Sequence, residues 1–275
     1  MIYKMIPKCL HQIWIGDQSK RPTEAMETIK RDNPDCEYKL WTEKELKTLK
    51  ISKKLELKIK CMTELCGKCD IYRYLILQQY GGIYIDADSI SIEPLDDFFF
   101  KNCGITFENE YCRQDLLAIG FLAFPPNHPL MNDCIAHIES NPIKSPAWIS
   151  TGNLMLTNIV KEKKYQFNFY PSYYFYPEHH TRHQYKGHGK VYLTQMWGST
   201  YNRYGNTEFK IQPFLLEPKT CIDIIIPEDT SKKKLKEILT GIKNMNGQYK
   251  IKIHTREDIS PFIKQTRFIT HIKED

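Results

Sequence analysis

The period of the apolar positions changes several times along the chain, and each change marks an element. Ile6 to Gly16 alternates apolar and polar residues and closes on Gly, which predicts a β-strand. Thr23 to Asp32 reads as a helix, stopped by Asn33-Pro34. Cys36 to Trp41 reads as the next strand, and Thr42 and Glu45 have the spacing of a capping box for a following helix. Lys53 to Leu65 is a lysine-rich amphipathic run, expected as one helix. From Lys68 to Tyr80 neither Gly nor Pro interrupts a run rich in Leu, Ile, Tyr and Gln, which predicts another helix. Gly81-Gly82 ends it, because Gly accepts the positive φ that a helix C-terminus commonly needs. Ile83 to Asp86 is short, apolar and β-prone. Residues two apart share a strand face, so Tyr84 and Asp86 point the same way, and Asp88 follows if the strand persists.

Further on, Ile105–Glu108 and Leu116–Phe124 predict strands, and Leu130–Ser140 a helix. Ser150-Thr-Gly-Asn153 opens another helix with residues of good capping type. Phe167 to Tyr176 is strongly aromatic, and His179, His180, His183 and His188 follow in a polar loop. Four close histidines suit a soft or borderline metal. Their irregular spacing, with no partner acid in view, reads instead as a mobile loop on the acceptor side. In the last quarter, Cys221–Ile226 and Tyr249–Ile253 read as strands, Ser231–Asn244 as a helix and the tail after Asp258 as helical. The expected organisation is a domain over residues 1–209 and a small α/β appendage over 210–275.

Composition adds a few limits. At 275 residues, 41% hydrophobic and 12% aromatic, the chain can bury a sizeable α/β core. A formal charge of +6 is thinly spread, with Lys232-Lys-Lys234 the tight basic run, and does not argue for nucleic acid. The sequence has no apolar run long enough for a membrane span and no signal-peptide hydrophobic region at its start. Nine irregularly spaced cysteines fit a reduced, cytoplasmic protein better than a disulfide framework. Cys66 and Cys69 have the spacing of a zinc half-site or a redox pair, but no second pair follows, so reduced thiols are the better account.

The candidate chemistry lies at Asp86 and Asp88. Two acids at the end of a buried strand suit a hard divalent cation, which takes oxygen ligands and shares them with a substrate's phosphates. The carboxyl ends of strands are where α/β sheets place ligands. Asp70 and Arg73, three residues apart on the preceding helix, share a face and can look at the same site. Arg73 offers a planar fork of donors for phosphate or sugar oxygens.

Read together, Asp70-Ile-Tyr-Arg73-Tyr-Leu-Ile-Leu-Gln-Gln-Tyr-Gly81-Gly-Ile-Tyr84-Ile-Asp86-Ala-Asp88 resembles the Asp-x-Asp sugar-binding region of glycosyltransferase family 32. That family includes yeast initiating α-1,6-mannosyltransferases and bacterial capsule transferases, and is distantly similar to clostridial toxin glucosyltransferase domains. The resemblance covers approximately Ile6 to Thr200, with Cys69 where Ser is usual. It implies a GT-A type α/β fold: one nucleotide-binding domain with a mixed, mostly parallel sheet flanked by helices. It also implies a nucleoside diphosphate sugar donor, Mn²⁺ or Mg²⁺, and transfer of a hexose with retention. Asp88, Asp86 and Gln195 would be metal ligands, although Gln195 and Thr200 stand where the family has His and Trp. Asp70 and Arg73 would bind sugar hydroxyls, with Asp70, Arg73 and Asp86 as the catalytic group. Trp14 would stack the base, while Tyr84, Gly152 and Trp197 would line the donor site. Asn153 departs from the family's Pro.

UDP-glucose, UDP-galactose, UDP-N-acetylhexosamine and GDP-mannose all stay open, a UDP-sugar being the first expectation. The acceptor is a glycan, a lipid or a protein hydroxyl. Two rivals remain: a nucleotide-sugar binder with weakened turnover, and a phosphohydrolase of the haloacid dehalogenase type. The latter wants Thr or Val two residues after the second Asp, where this chain has Ile90.

Overall fold

The computed structural model describes residues 5–201, 203–204, 221–225, 250–255 and 269–273. The chain divides into two compact units, Met1–Glu110 with Gln114–Lys210, and Tyr111–Arg113 with Ile211–Asp275. Up to residue 204 the strands are β1 (Cys9–Ile13), β2 (Glu37–Trp41), β3 (Gly82–Ile85), β4 (Ser89–Ser91), β5 (Gly104–Asn109), β6 (Arg113–Phe124), β7 (Asn168–Tyr170) and β8 (Leu193–Gln195). The helices are α1 (Thr23–Asp32), α2 (Glu43–Leu46), α3 (Lys53–Cys61), α4 (Leu65–Tyr80), α5 (Phe98–Lys101), α6 (Pro129–Ser140) and α7 (Asn153–Glu162).

Six strands form the main sheet in the order β2-β1-β3-β6-β5-β7. β1 runs parallel to β2 and β3, β5 parallel to β7, and β3 antiparallel to β6. This is the mixed, mostly parallel sheet with helices around it that the resemblance implies. β4 and β8 pair antiparallel as a separate two-stranded sheet, with Ser89 opposite Gln195.

Alternation along the strands sends residues into two buried clusters. Tyr84, Leu122 and Phe124 join the one that receives Ile71, Tyr74 and Leu75 of α4. Ile83, Ile85, Phe121 and Ala123 join the other, with Phe99, Phe175 and Tyr192. Phe121 and Phe175 stack there with centroids 3.7 Å apart. On β6 the alternation changes phase at Gly120. Leu117 and Ile119 share a cluster with Leu122 and Phe124, whereas Ala118 goes with Phe121 and Ala123. A phase change of this kind is what a β-bulge produces, and bulges re-aim groups beside active sites.

α4 is the central helix and is buried along most of its length, including Asp70 and Arg73. Its stop is the predicted one: Gly81 takes φ +67° and Gly82 φ +100°, and the Gly81 N–H closes on the Leu77 carbonyl. The capping box at Thr42 and Glu45 is also present.

Three expectations need correction. The helix expected over Lys53–Leu65 ends at Cys61, because the chain turns extended at Met62, and Leu65 already opens α4. α7 has no side-chain cap, since the Thr151 hydroxyl turns to Asp70 and Asn153 turns to Glu108. In the second unit, β9 (Cys221–Ile225), β10 (Lys250–Thr255) and β11 (Ile269–Lys273) form a parallel sheet in the order β11-β10-β9. A strand therefore stands at 269–273, where a helical tail is expected from the sequence. The helix expected over Ser231–Asn244, with its lysine run, lies outside the described residues.

Candidate active site

The β3 strand ends at Ile85, so Asp86, Ala87 and Asp88 form a turn rather than more strand. The Asp86 N–H donates to the Gly120 carbonyl at 2.9 Å, and Gln12 Nε2 donates to the Asp86 carbonyl at 2.9 Å. Strands β1 and β6 thus fix the backbone that presents the first acid. Gly120 is required by close approach, because a Cβ there would lie 2.4 Å from Asp86 Oδ2.

Arg73 reaches Asp86 from α4. Its Nη1 lies 3.2 Å from Asp86 Oδ1 and its Nη2 lies 3.1 Å from Asp70 Oδ1. Nη1 also donates to the Ile119 carbonyl at 2.7 Å, beside the phase change of β6. The guanidinium carbon stands 4.5 Å from the Tyr84 ring centroid. On the far side, the Thr151 hydroxyl lies 3.0 Å from Asp70 Oδ2. Arg73 and Asp70 are nearly sealed, at 6% and 7% side-chain exposure, whereas Asp86 keeps 27%. The buried charge network therefore opens to solvent at Asp86. Burial pushes the Asp70 carboxyl up to about 6, against the pull of Arg73 and Thr151.

Asp88 is placed differently. Gln195 Nε2 donates to its Oδ1 at 2.7 Å and the Gly198 N–H to its Oδ2 at 2.7 Å. Burial, and then the neighbouring Asp86 charge, push its carboxyl up to about 6. Gln195 is aligned by the Ser89 hydroxyl, which donates to its Oε1 at 2.7 Å. Gln195 thus turns its amide N–H₂, not its carbonyl oxygen, toward Asp88, and acts on that carboxylate as an orienting donor.

Trp14 is partly buried, and its Nε1 donates to the Asp17 carbonyl at 3.1 Å. Its ring meets Tyr204 edge-on at 5.0 Å. Burial, and then the Asp88 charge, push the Tyr204 hydroxyl's pKa up. Gly152 lies against Asp70: a Cβ would sit 3.0 Å from Asp70 Oδ2 and 2.8 Å from Trp148 Cα. Trp197 adopts φ +53° and donates from Nε1 to the Glu178 carbonyl at 2.9 Å, directly before the Gly198 that holds Asp88.

Three further residues border the site without a local signal in the chain: Thr151 lies in a stretch of capping residues, Tyr204 stands in no motif, and Tyr176 lies inside an aromatic run. Tyr176 is buried, with its hydroxyl in the fields of Asp86, Arg73, Glu108 and Asp88. The histidine loop also differs from expectation. His179 is fully buried, with Nε2 3.0 Å from Glu108 Oε1, so a partner acid exists and the residue is fixed. The paired cysteines are bland, as expected: burial pushes the Cys66 thiol up to about 12 and raises Cys69 as well, the reverse of a reactive thiolate.

Fold and site together define an α/β protein with an Asp-x-Asp pair just past the end of a central strand. Residues 19–105 match the model of the "Glycosyltransferase sugar-binding region containing DXD motif". Over 211 residues the chain is 25% identical to inositol phosphoceramide mannosyltransferase 2 of Schizosaccharomyces pombe, covering 72% of this chain and 59% of that protein. It is 31% identical over 140 residues to the uncharacterized glycosyltransferase L373 of Acanthamoeba polyphaga mimivirus, covering 46% and 53%. The chain thus spans between half and three-fifths of the length of these two relatives. Among solved structures, the PaToxG glycosyltransferase is similar at TM-score 0.46 and 22% identity, over 58% of this chain and 70% of that one. The matched stretch, residues 19–105, is similar to the DXD-containing sugar-binding region of glycosyltransferases and includes Asp70, Arg73, Asp86 and Asp88.

Proposed function

We propose that the chain transfers a hexosyl group from a nucleoside diphosphate sugar to a hydroxyl acceptor. The observation that carries this reading is the network Thr151–Asp70–Arg73–Asp86, sealed inside the protein and opening to solvent at a single carboxylate. In the reaction, the bond from the anomeric carbon to the diphosphate breaks and a bond to the acceptor oxygen forms. The acceptor's hydroxyl proton leaves, and the nucleoside diphosphate departs with the bonding pair. Retention follows from the family resemblance.

The donor set fits a hard cation: two carboxylates one residue apart, one of them pushed up in pKa partly by the charge of the other. Asp86 and Asp88 would hold Mn²⁺ or Mg²⁺. When bound, the ion neutralises charge on the diphosphate leaving group. Gln195 and Gly198 orient Asp88, a supporting role of the kind that tunes such ligands. Asp70 and Arg73 present a fixed charge pattern to the sugar, preorganised before the donor arrives. Trp14 supplies a flat ring for the base.

A UDP-sugar is the first expectation. GDP-mannose and a lipid acceptor gain support from the relative named as an inositol phosphoceramide mannosyltransferase. No helix among the described residues is long and apolar enough to cross a membrane. The eight cysteines whose side chains are described are all free, which supports a reducing compartment such as the cytoplasm. A binder with weakened turnover is the second reading, favoured by Gln195 standing at the family's His.

Thermal stabilisation by UDP and GDP, each with and without Mn²⁺, tests the donor site. A ligand at a hundredfold excess over Kd adds about 2.7 kcal/mol. The expected result is a Mn²⁺-dependent shift with one nucleotide, lost in Asp88→Ala. No shift with either nucleotide sinks the reading, and a shift without donor hydrolysis selects the binder.

A further inference from the structure

We propose that Glu108, His179 and His180 form a second cation site, separate from the Asp86–Asp88 pair and suited to Zn²⁺. Their ligand atoms all lie within 4.8 Å of one another. Glu108 Oε1 stands 3.0 Å from His179 Nε2 and 3.7 Å from His180 Nε2. Bonds of about 2.0–2.1 Å around a tetrahedral ion set neighbouring ligand atoms roughly 3.3 Å apart, between those two separations. Two imidazoles and one carboxylate make a borderline donor set. That set favours zinc, whereas the all-oxygen pair at Asp86 and Asp88 favours a hard ion. Three protein ligands leave one position of the tetrahedron for water.

The surroundings orient these groups as metal ligands are usually oriented. Asn153 Nδ2 donates to Glu108 Oε2 at 2.6 Å, and Oε1 is the oxygen that faces both imidazoles. This gives the chain's departure from the family's Pro at that position a physical use. His179 Nδ1 lies 2.8 Å from the Thr181 hydroxyl oxygen and accepts from the Thr181 N–H at 3.3 Å, contacts that hold the ring with Nε2 facing Glu108. The backbone is held too: the His179 N–H donates to the His183 carbonyl at 2.9 Å, and the Tyr201 hydroxyl to the His180 carbonyl at 2.9 Å. His180 keeps 15% side-chain exposure, which gives the ion a way in.

Position makes the site consequential. The Trp197 ring packs edge-on against both imidazoles, at 5.3 and 5.2 Å. The next residue, Gly198, donates its N–H to Asp88. An ion at the cluster ties the 178–184 turn to β5 and steadies the segment that orients Asp88. The proposal does not rest on glycosyl transfer, and it survives if that reading fails.

The test uses the full chain, stripped with chelator and titrated with Zn²⁺ by calorimetry and with Co²⁺ by visible absorption. One ion per chain and tetrahedral Co²⁺ bands are expected, without competition from equal Mg²⁺. His180→Ala, checked for folding by circular dichroism, should weaken Zn²⁺ binding at least about 100-fold, beyond the usual cost of losing an outer-shell partner. Glu108→Gln provides a second variant, and Asp86→Ala should bind Zn²⁺ as the wild type does. The proposal is overturned by absence of stoichiometric binding or by unchanged affinity in both cluster variants. Loss of binding in folded Asp86→Ala, or sulfur-to-cobalt charge-transfer bands, would equally overturn it by moving the ion to the acid pair or to the cysteines.

Discussion

His11 and Arg73 are both polar, both buried and both close to β3, yet they are put to opposite uses. His11 Nε2 donates to the Gly81 carbonyl at 2.8 Å and its Nδ1 accepts from Trp41 Nε1 at 3.1 Å. Both nitrogens are spent within the core, and burial pushes the imidazole down to about 4, so it stays neutral. Arg73 is as deeply buried but keeps its charge, and its chain of partners ends on a partly exposed carboxylate. A closed neutral network fixes where the strands meet. A charged network with one open end holds a field ready for a ligand.

The largest way to break this contrast is Arg73→Leu. It leaves Asp70 and Asp86 without their shared cation, and removing one member of a buried ion pair costs about 3–5 kcal/mol. Urea titration should show that loss together with loss of donor turnover. A stable, active variant would mean that the network is not what organises the site.

Asp86→Ala probes the open end alone. Donor turnover should fall by about 10²–10³-fold, the scale of removing one preorganised electrostatic group, while the melting temperature holds within a few degrees. A collapse in stability with the residual rate unchanged would make Asp86 a core residue like His11.

His11→Leu sharpens the other side and should be the smallest effect. Leaving the Trp41 N–H and Gly81 carbonyl unmatched costs about 1–3 kcal/mol, with nucleotide affinity unchanged. The pH dependence follows from the sign of the shift. A histidine held at about 4 in the fold, below its ordinary 6.5, contributes stability above 6.5 that is lost as pH falls through 4. Asp70 and Asp88, held up at about 6, act in the reverse sense: their contribution is present in acid and lost as pH rises through about 6. The two trends oppose one another in the wild type. The difference between wild type and His11→Leu, followed by urea titration, should therefore shrink as pH falls from 6.5 to 4. A difference independent of pH would show that His11 titrates normally.

Local order fixed much of what was legible in advance. The α4 helix, its Gly81-Gly82 stop, the β3 strand and the following acids depend on neighbours in sequence: a helical period, a positive φ, a short β-prone run. The capping box at Thr42 is equally local. Only the fold decided that Gln195 faces Asp88 with its N–H₂, across a separation of 107 residues. Thr151 joins Asp70 across 81 residues, and His179 finds Glu108 across 71. Such partners leave no period or spacing in the chain, because hydrogen bonds and ion pairs depend on distances that strand order and helix packing set. The sequence by itself determined which chemical groups this protein has and the local frames that carry them. The tertiary structure decided which are sealed, which face solvent, and which acid each base can reach, since burial and charge proximity arise only when distant segments pack.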